Sequence, residues 1–372
     1  MRDIAQPFLY HYIVQPEKAG LLARTLLQRP SLARAVKGLT ITAVGFHNGD
    51  GKTLSEEDQA KLEVQVQTIA TDALERDTSK RENFLGVLML AHTPNVQRLS
   101  VHTDYFTPMM YYLNGALSCL TILRANCEDT ANVFGLSALA GIMAAAPNLK
   151  TFFGYSLTAV DLEEGEVFSE SVTEVNIAEA AILKEDFDML IQGFPSLQVF
   201  RFEMGGAAAY EMWCGRPADM AKSLLARKET LKTLNISTSA SFYPYELLKR
   251  NEVIDDLSRM TALETIVLSI DSIYTEFGAN NYSGSDSDTD TSGSILIDLL
   301  PESVRVLGLV DPSGLSEDIF RLAASAPERF PLLKKVKLQG AGEYKQKAYK
   351  KAFKKAGIKC VKAKGLDIIV RG

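Results

Sequence analysis

The sequence predicts an α/β fold in which irregular repeats stack into a solenoid, with a curved parallel sheet on the concave side and helices on the convex side. Two observations carry this prediction. A six-residue pattern, apolar-x-x-apolar-x-apolar, returns eleven times along the chain. Amphipathic stretches with helical periodicity lie between many of the copies, so strands and helices are expected to alternate.

The copies follow one another at intervals of 21 to 41 residues, after a first interval of 60. Such intervals hold a strand, a loop and a helix. Positions four and six of each copy are alternate residues of a short strand, so both are expected to point inward while position five points outward. The copies begin at Val36, Val96, Leu117, Leu149, Val172, Leu197, Leu231, Leu263, Val304, Leu333 and Ile358.

Proline lies two residues before the first apolar position in four copies, at Pro94, Pro147, Pro195 and Pro331. Proline disfavours helical geometry in the residue before it and cannot donate a helix hydrogen bond. Each of these prolines is therefore expected to end a helix just before a strand begins. With the apolar hexamers, this arrangement predicts an irregular leucine-rich-repeat solenoid.

The domain organisation follows from where the hexamers begin. Residues 1–35 are predicted to form an N-terminal helical segment, and residues 36–372 the solenoid. Within the solenoid, residues 278–293 (GANNYSGSDSDTDTSG) contain too few apolar side chains to pack, so a disordered loop is expected there.

Composition is that of an ordinary folded protein, with 46% hydrophobic residues, 23% charged residues and a net charge of -6. The mild acidity argues against nucleic-acid binding, which usually requires a basic domain. The four cysteines form no CxxC pair, and a cytoplasmic or nuclear location is expected. The longest uncharged stretch, residues 130–149, contains Asn and Pro and is interpreted as a buried repeat helix, so no membrane span is expected.

The residues that could carry chemistry do not have the required spacing. Gly51-Lys52-Thr53 lacks the glycine that a phosphate-binding loop needs five residues earlier, where Phe46 stands. Asp286, Asp288 and Asp290 alternate as in a calcium loop, but the turn glycine and the final acidic ligand are missing. The four histidines show no metal-ligand spacing, and there is no GxSxG motif. We therefore predict no catalytic residue, metal or cofactor, and a chain that is not an enzyme.

Positions two, three and five of the hexamers are expected to face the concave side, the largest preformed surface of a solenoid. Eleven of these 33 positions are basic, and only Glu174 and Glu264 are acidic. This asymmetry predicts a positive stripe that favours an acidic partner. The alternative is that exposed strands simply tolerate long basic side chains. The candidate partner-binding residues are Arg98, Lys150, Arg201, Lys232, Arg305, Lys334 and Lys337.

The chain also resembles a known family. Residues 3–13 (DIAQPFLYHYI) and 21–41 (LLARTLLQRPSLARAVKGLTI), together with LKTLNI and LPESVRVLGL further on, are similar to fungal F-box and leucine-rich-repeat proteins. The resemblance implies a substrate-recognition component of a cullin-type ubiquitin ligase. In that family the F-box is a helical segment that would precede Met1 and is largely absent here. Either the sequence is a truncated form of such a protein, or it is a stand-alone repeat protein that cannot recruit the ligase. Adaptor binding is expected only in the first case, whereas partner binding by the repeats is expected in both.

Three alternatives remain open at this point. The chain could be a stand-alone repeat protein that binds an acidic partner without recruiting a ligase. It could instead be an enzyme, such as a hydrolase, built on a repeat frame, in which case a deep pocket with clustered titratable groups is expected. Nucleic-acid binding through the basic stripe would show a steep dependence on salt.

Overall fold

The computed structural model describes residues 8–14, 19–42, 60, 64, 81–102, 117–126, 135–157, 168–180, 182–205, 215–238, 250–274 and 295–363. The predicted loop 278–293 lies outside the described residues. The chain divides into two compact units, unit 1 (Met1–Thr173) and unit 2 (Glu174–Gly372). No described helix has the length and apolar character needed to cross a bilayer.

Unit 1 is built on five short strands that pair in parallel, each with the next along the chain. They are β1 (Tyr12–Ile13), β2 (Gly38–Thr42), β3 (Arg98–His102), β4 (Ile122–Asn126) and β5 (Thr151–Tyr155). Its helices are α1 (Ala19–Gln28), α2 (Pro30–Ala35), α3 (Arg81–His92) and α4 (Ala140–Ala145), the last preceded by a 3-10 turn at Leu136–Leu139.

Unit 2 continues the same plan with seven parallel strands in chain order. They are β6 (Glu174–Ala180), β7 (Val199–Met204), β8 (Thr233–Ser237), β9 (Thr265–Ser269), β10 (Val306–Val310), β11 (Lys335–Gln339) and β12 (Lys359–Lys362). Its helices are α5 (Lys184–Gln192), α6 (Pro217–Leu224), α7 (Ile295–Leu299), α8 (Ser316–Arg329) and α9 (Glu343–Lys355), with 3-10 turns at Leu225–Arg227, Arg250–Glu252, Ile270–Ser272 and Pro312–Leu315.

Strands and helices form separate layers. The strands pair into one parallel sheet in each unit, the strand layer. Helices of successive repeats pack side by side, as α1 does with α3, α5 with α6, and α8 with α7 and α9, and these form the helix layer. Parallel strands in chain order, with helices in most of the described connections between them, confirm the predicted α/β leucine-rich-repeat solenoid.

The apolar interior lies where the hexamer predicts it. In unit 2, position four of four successive strands is occupied by Leu234, Ile266, Leu307 and Val336, all fully buried and directly paired in register. A strand of five residues cannot bury this face alone, so each repeat depends on its neighbours. The four prolines that precede a hexamer each follow the end of a helix, as predicted.

The third hexamer was predicted in the wrong register. The sequence LSCLTILRA fits the pattern from Leu117 and again from Leu120, and the copy beginning at Leu117 was predicted. Pairing with β3 places Arg98 opposite Ile122 and Ser100 opposite Arg124. Position one is therefore Leu120, and Arg124 takes the outward position five. Leu117 is also fully buried, which explains why both frames fit the apolar pattern.

The last hexamer is displaced by one residue. Pairing with β11 places Cys360 opposite the inward Val336, and Val361 opposite the outward Lys337. The copy therefore begins at Gly357, which has a φ of +74° suited to glycine, and not at Ile358 as predicted. Because a one-residue shift exchanges the two faces of a strand, Cys360 points inward and Val361 outward.

One strand was not predicted at all. β1 pairs with β2 through Tyr12 opposite Gly38 and Ile13 opposite Leu39. The residues from Tyr10 read YHYIVQ, so a glutamine stands where the pattern needs an apolar position six. The segment 1–35, predicted as helical, thus contains a strand of the sheet in addition to α1 and α2.

The interior packing of β7 can be tested by truncating one ring. Phe200 is fully buried and stacks on Phe202 at 6.2 Å between ring centroids. We expect Phe200→Ala to lower the free energy of unfolding by about 3–5 kcal/mol, because it leaves a cavity. The control is Leu332→Ala, whose side chain is 40% exposed and whose loss should cost under about 1 kcal/mol. Urea unfolding measures both, and equal losses would contradict this packing.

The register of β12 can be tested with thiol chemistry. Burial raises the pKa of the Cys360 thiol to about 11, although the charge of Lys350 acts in the opposite direction. At pH 8 only about one such thiol in a thousand is ionised, and the thiolate is the nucleophile. We expect iodoacetamide to leave native Cys360 unmodified at pH 8, and its rate to rise about tenfold per pH unit below the pKa. Peptide mass mapping after labelling, with and without urea, gives the measurement.

The matched control for this labelling moves the thiol by one residue. In a Cys360→Ser background, Val361→Cys places a thiol at a half-buried outward position. This variant should react in the native state. Equal native reactivity of the two thiols would show that β12 is not held in this register.

Candidate partner-binding surface

The predicted basic stripe divides into two rows. The strands begin at position three, so positions three and five lie on the outward side of the strand layer, the strand face. Position two precedes the strand and lies along its amino-terminal edge, the strand edge. Of the candidates, Arg98, Arg201 and Lys337 lie on the strand face. The strand edge carries Lys150, Lys232, Arg305 and Lys334.

Arg201 does not present a free positive charge. Its guanidinium forms a salt bridge with Glu174 and donates to Asn176 Oδ1 at 2.7 Å. Asn176 also donates to Glu174 Oε1 at 3.3 Å and is only 1% exposed. These three residues, on the neighbouring strands β6 and β7, form a closed network that neutralises the cation. Arg201 therefore contributes little positive field to the strand face.

Arg305 is also accompanied by an acidic residue on the neighbouring repeat. Its Nε lies 3.5 Å from Glu264 Oε1, an ion pair whose side chains are 43% and 49% exposed. Exposed pairs of this kind stabilise a protein by about 0–1 kcal/mol. In unit 1, the Lys150 ammonium donates to the carbonyl of Ser171 at 3.5 Å. Because Arg201 and Arg305 are both paired with acidic residues, the predicted positive stripe is interrupted at two positions of unit 2.

The remaining lysines of unit 2 are better placed to meet a partner. Lys232 and Lys334 are exposed on the strand edge, and Lys337 is half-buried on the strand face. Within the described part of the chain, none of the three has an ion pair with a carboxylate. Their charge is therefore available to an external acidic group.

The prediction from sequence missed one cation. Arg124 occupies position five of β4, and its Cζ lies 4.9 Å from the centre of the Phe153 ring on β5, a cation–π contact. The residue was overlooked because the hexamer beginning at Leu117 assigns position five to Thr121. Periodicity alone could not identify it, since both frames satisfy the pattern.

One described side-chain cluster is of a kind that catalysis can use. Ser316 Oγ accepts hydrogen bonds from Lys345 Nζ and Tyr349 Oη, each at 2.9 Å, an arrangement that resembles a serine–lysine dyad. Lys345 is exposed, and the contact joins α8 to α9, so packing accounts for it. Among the residues described, no group of three His, Cys, Asp or Glu side chains could hold a metal ion. Burial lowers the pKa of His92, at the end of α3.

Comparisons with known proteins give limited information. No protein-family model matches the chain, and no curated protein matches it. Among solved structures, the leucine-rich repeat-containing protein LegL7 from Legionella pneumophila is similar over 74% of this chain and 76% of its own, with 12% sequence identity and a TM-score of 0.38.

The network around Arg201 can be tested by removing its buried member. We expect Asn176→Ala to lower the free energy of unfolding by about 1–3 kcal/mol, because the guanidinium loses a partner in a partly buried site. Lys337→Ala, at position five of β11, should change stability by no more than about 0.5 kcal/mol. Urea titration compares the two variants. An Asn176→Ala variant as stable as Lys337→Ala would show that the network does not hold Arg201.

Proposed function

We propose that the chain is a non-enzymatic protein-interaction scaffold that holds a partner protein against its strand layer. The observation that carries this proposal is the fixed pairing of parallel strands in chain order, which sets the outward side chains in rows. A surface set by backbone pairing loses little conformational entropy when a partner binds.

The charge of the strand layer supports an acidic partner. Lys232, Lys334 and Lys337 extend from unit 2 without a described carboxylate partner, although the whole chain carries a net charge of -6. Complementary charge increases the rate of association and selects among partners more than it raises affinity. We propose the cytoplasm or the nucleus as the place where this occurs.

The finer form of the proposal is that the repeats select the substrate of a cullin-type ubiquitin ligase. It is supported only by the resemblance of residues 3–13 and of the repeats to fungal F-box and leucine-rich-repeat proteins. The segment that would contact the ligase adaptor is not among the residues that carry this resemblance. The alternative is a stand-alone repeat protein that binds an acidic partner and recruits no ligase.

The scaffold proposal can be tested by reversing charges on the strand layer in one variant and on the helix layer in another. The full chain is used as bait, and bound proteins are identified by mass spectrometry. A variant with Lys232→Glu, Lys334→Glu and Lys337→Glu should lose a specific partner by about tenfold or more, because attraction becomes repulsion at three sites. The matched control carries Lys347→Glu, Lys351→Glu and Lys354→Glu, three exposed positions of α9 in the helix layer.

Retention of the same partner by both variants would reject binding through the strand layer. Loss in both variants would mean that general electrostatic attraction, and not the strand layer, holds the partner. Adaptor binding is measured with the same bait. Co-purification of a cullin adaptor would support the ligase form of the proposal. Capture of a partner protein without an adaptor would support the stand-alone form.

A further inference from the structure

We propose that the outward side of β3, β4 and β5, centred on Arg98, Arg124 and Phe153, binds an extended acidic peptide segment of a partner protein. We call this surface the arginine–phenylalanine patch. The inference rests on the proposed function, because it assigns a partner chemistry to one part of the strand face in unit 1.

The register brings the members of the patch together. Arg124 lies between Ser100 on β3 and Phe153 on β5 in one row, while Arg98 lies beside Ile122 in the next row. The 4.9 Å cation–π contact holds the Arg124 guanidinium over the Phe153 ring. A cation–π contact uses none of the guanidinium N–H groups as hydrogen-bond donors to an oxygen, so a carboxylate can still bind them through two hydrogen bonds.

Charge distinguishes these arginines from those of unit 2. Every outward position of β3, β4 and β5 is free of Asp and Glu. In the portion of the chain that the structure describes, neither Arg98 nor Arg124 forms an ion pair, whereas Arg201 is neutralised by Glu174. Two neighbouring guanidinium groups without a carboxylate repel each other, and an external pair of carboxylates removes that repulsion.

The spacing of the two arginines defines the acidic motif. They lie on adjacent strands and two residues apart in register, which separates their Cα atoms by about 8 Å. Alternate side chains of an extended peptide point to the same side and lie about 7 Å apart. An Asp or Glu at each of two positions separated by one residue therefore matches the Cα spacing of the two arginines. Half-buried Ile122 and Phe153 offer apolar contact to a neighbouring side chain.

The size of the patch favours a peptide segment over a folded surface. Three strands and three outward residues on each cover roughly 10 by 13 Å, the length of about four extended residues. A stable interface between folded proteins buries about 800 Å² on each partner. Nucleic acid is also a poorer match, since it needs many cations and the chain has a net charge of -6.

The experiment selects ligands without assuming the partner. The full chain is immobilised and used to select from a phage-displayed library of random peptides about ten residues long. The expected result is enrichment of peptides with two acidic residues separated by one residue and with an apolar neighbour. A labelled synthetic copy of an enriched peptide should then bind about tenfold or more weakly to Arg98→Gln and to Arg124→Gln, since each removes a charged hydrogen-bond donor.

Arg201→Gln serves as the matched control, because it removes an arginine at position five that Glu174 already neutralises. It should leave peptide affinity unchanged. Arg98 is exposed and has no described ion pair, so Arg98→Gln tests the patch even where Arg124→Gln lowers stability. Urea midpoints of all three variants identify any loss of affinity that comes from unfolding.

Three results would overturn the inference: no enrichment of acidic peptides, equal affinity in the wild type and Arg98→Gln, or labelled oligouridylate RNA binding more tightly than the peptide and lost with the same substitutions. The last result would assign the patch to nucleic acid. Partner capture through Lys232, Lys334 and Lys337 is measured separately. If the partner is still captured through these lysines but the peptide selection fails, the arginine–phenylalanine patch is rejected and the scaffold proposal stands.

Discussion

In most of the described repeats, the strand register depends on the carbonyl at position two of the hexamer. It accepts N–H groups from positions two and three of the next repeat, as the carbonyl of Lys232 does from Glu264 and Thr265, and that of Lys37 from Gln97 and Arg98. Both lone pairs of the oxygen are used. This double contact sets the register at the start of these strands, whereas at β12 only Lys359 donates to the carbonyl of Lys334. A slip of one residue would exchange the buried and exposed faces.

The hexamer pattern predicted most of this arrangement because burial leaves a periodic trace in the sequence. Leu39, Leu99 and Phe152 are buried where position four requires an apolar side chain. The pattern failed where two frames were equally apolar, at Leu117 and Leu120, and at the last strand, where Gly357 replaces the first apolar residue. In both places hydrogen bonding to the neighbouring strand decides the frame, and a pattern read along one chain does not contain that information.

The candidate surface was harder to predict than the interior, because its charges are decided by pairs. Sequence periodicity identified Arg201 and Arg305 as outward or edge residues. It did not indicate that Glu174 and Glu264, 27 and 41 positions earlier, would lie beside them. The same acidic residues counted as exceptions to a positive stripe are the ones that neutralise it. Net composition of the outward positions therefore overstates the charge that a partner meets.

The residues beside an arginine in its row decide whether its charge is available, and the net charge of the chain does not. A strand-face arginine is neutralised when the adjacent strand offers an acidic residue within reach, as β6 does for Arg201. It stays available when its neighbours are Ser100, Ile122 and Phe153, as on β3, β4 and β5. Because each repeat contacts only its neighbours, this difference is local. One chain with an acidic total can thus carry a cationic binding patch in one unit and a neutralised one in the other.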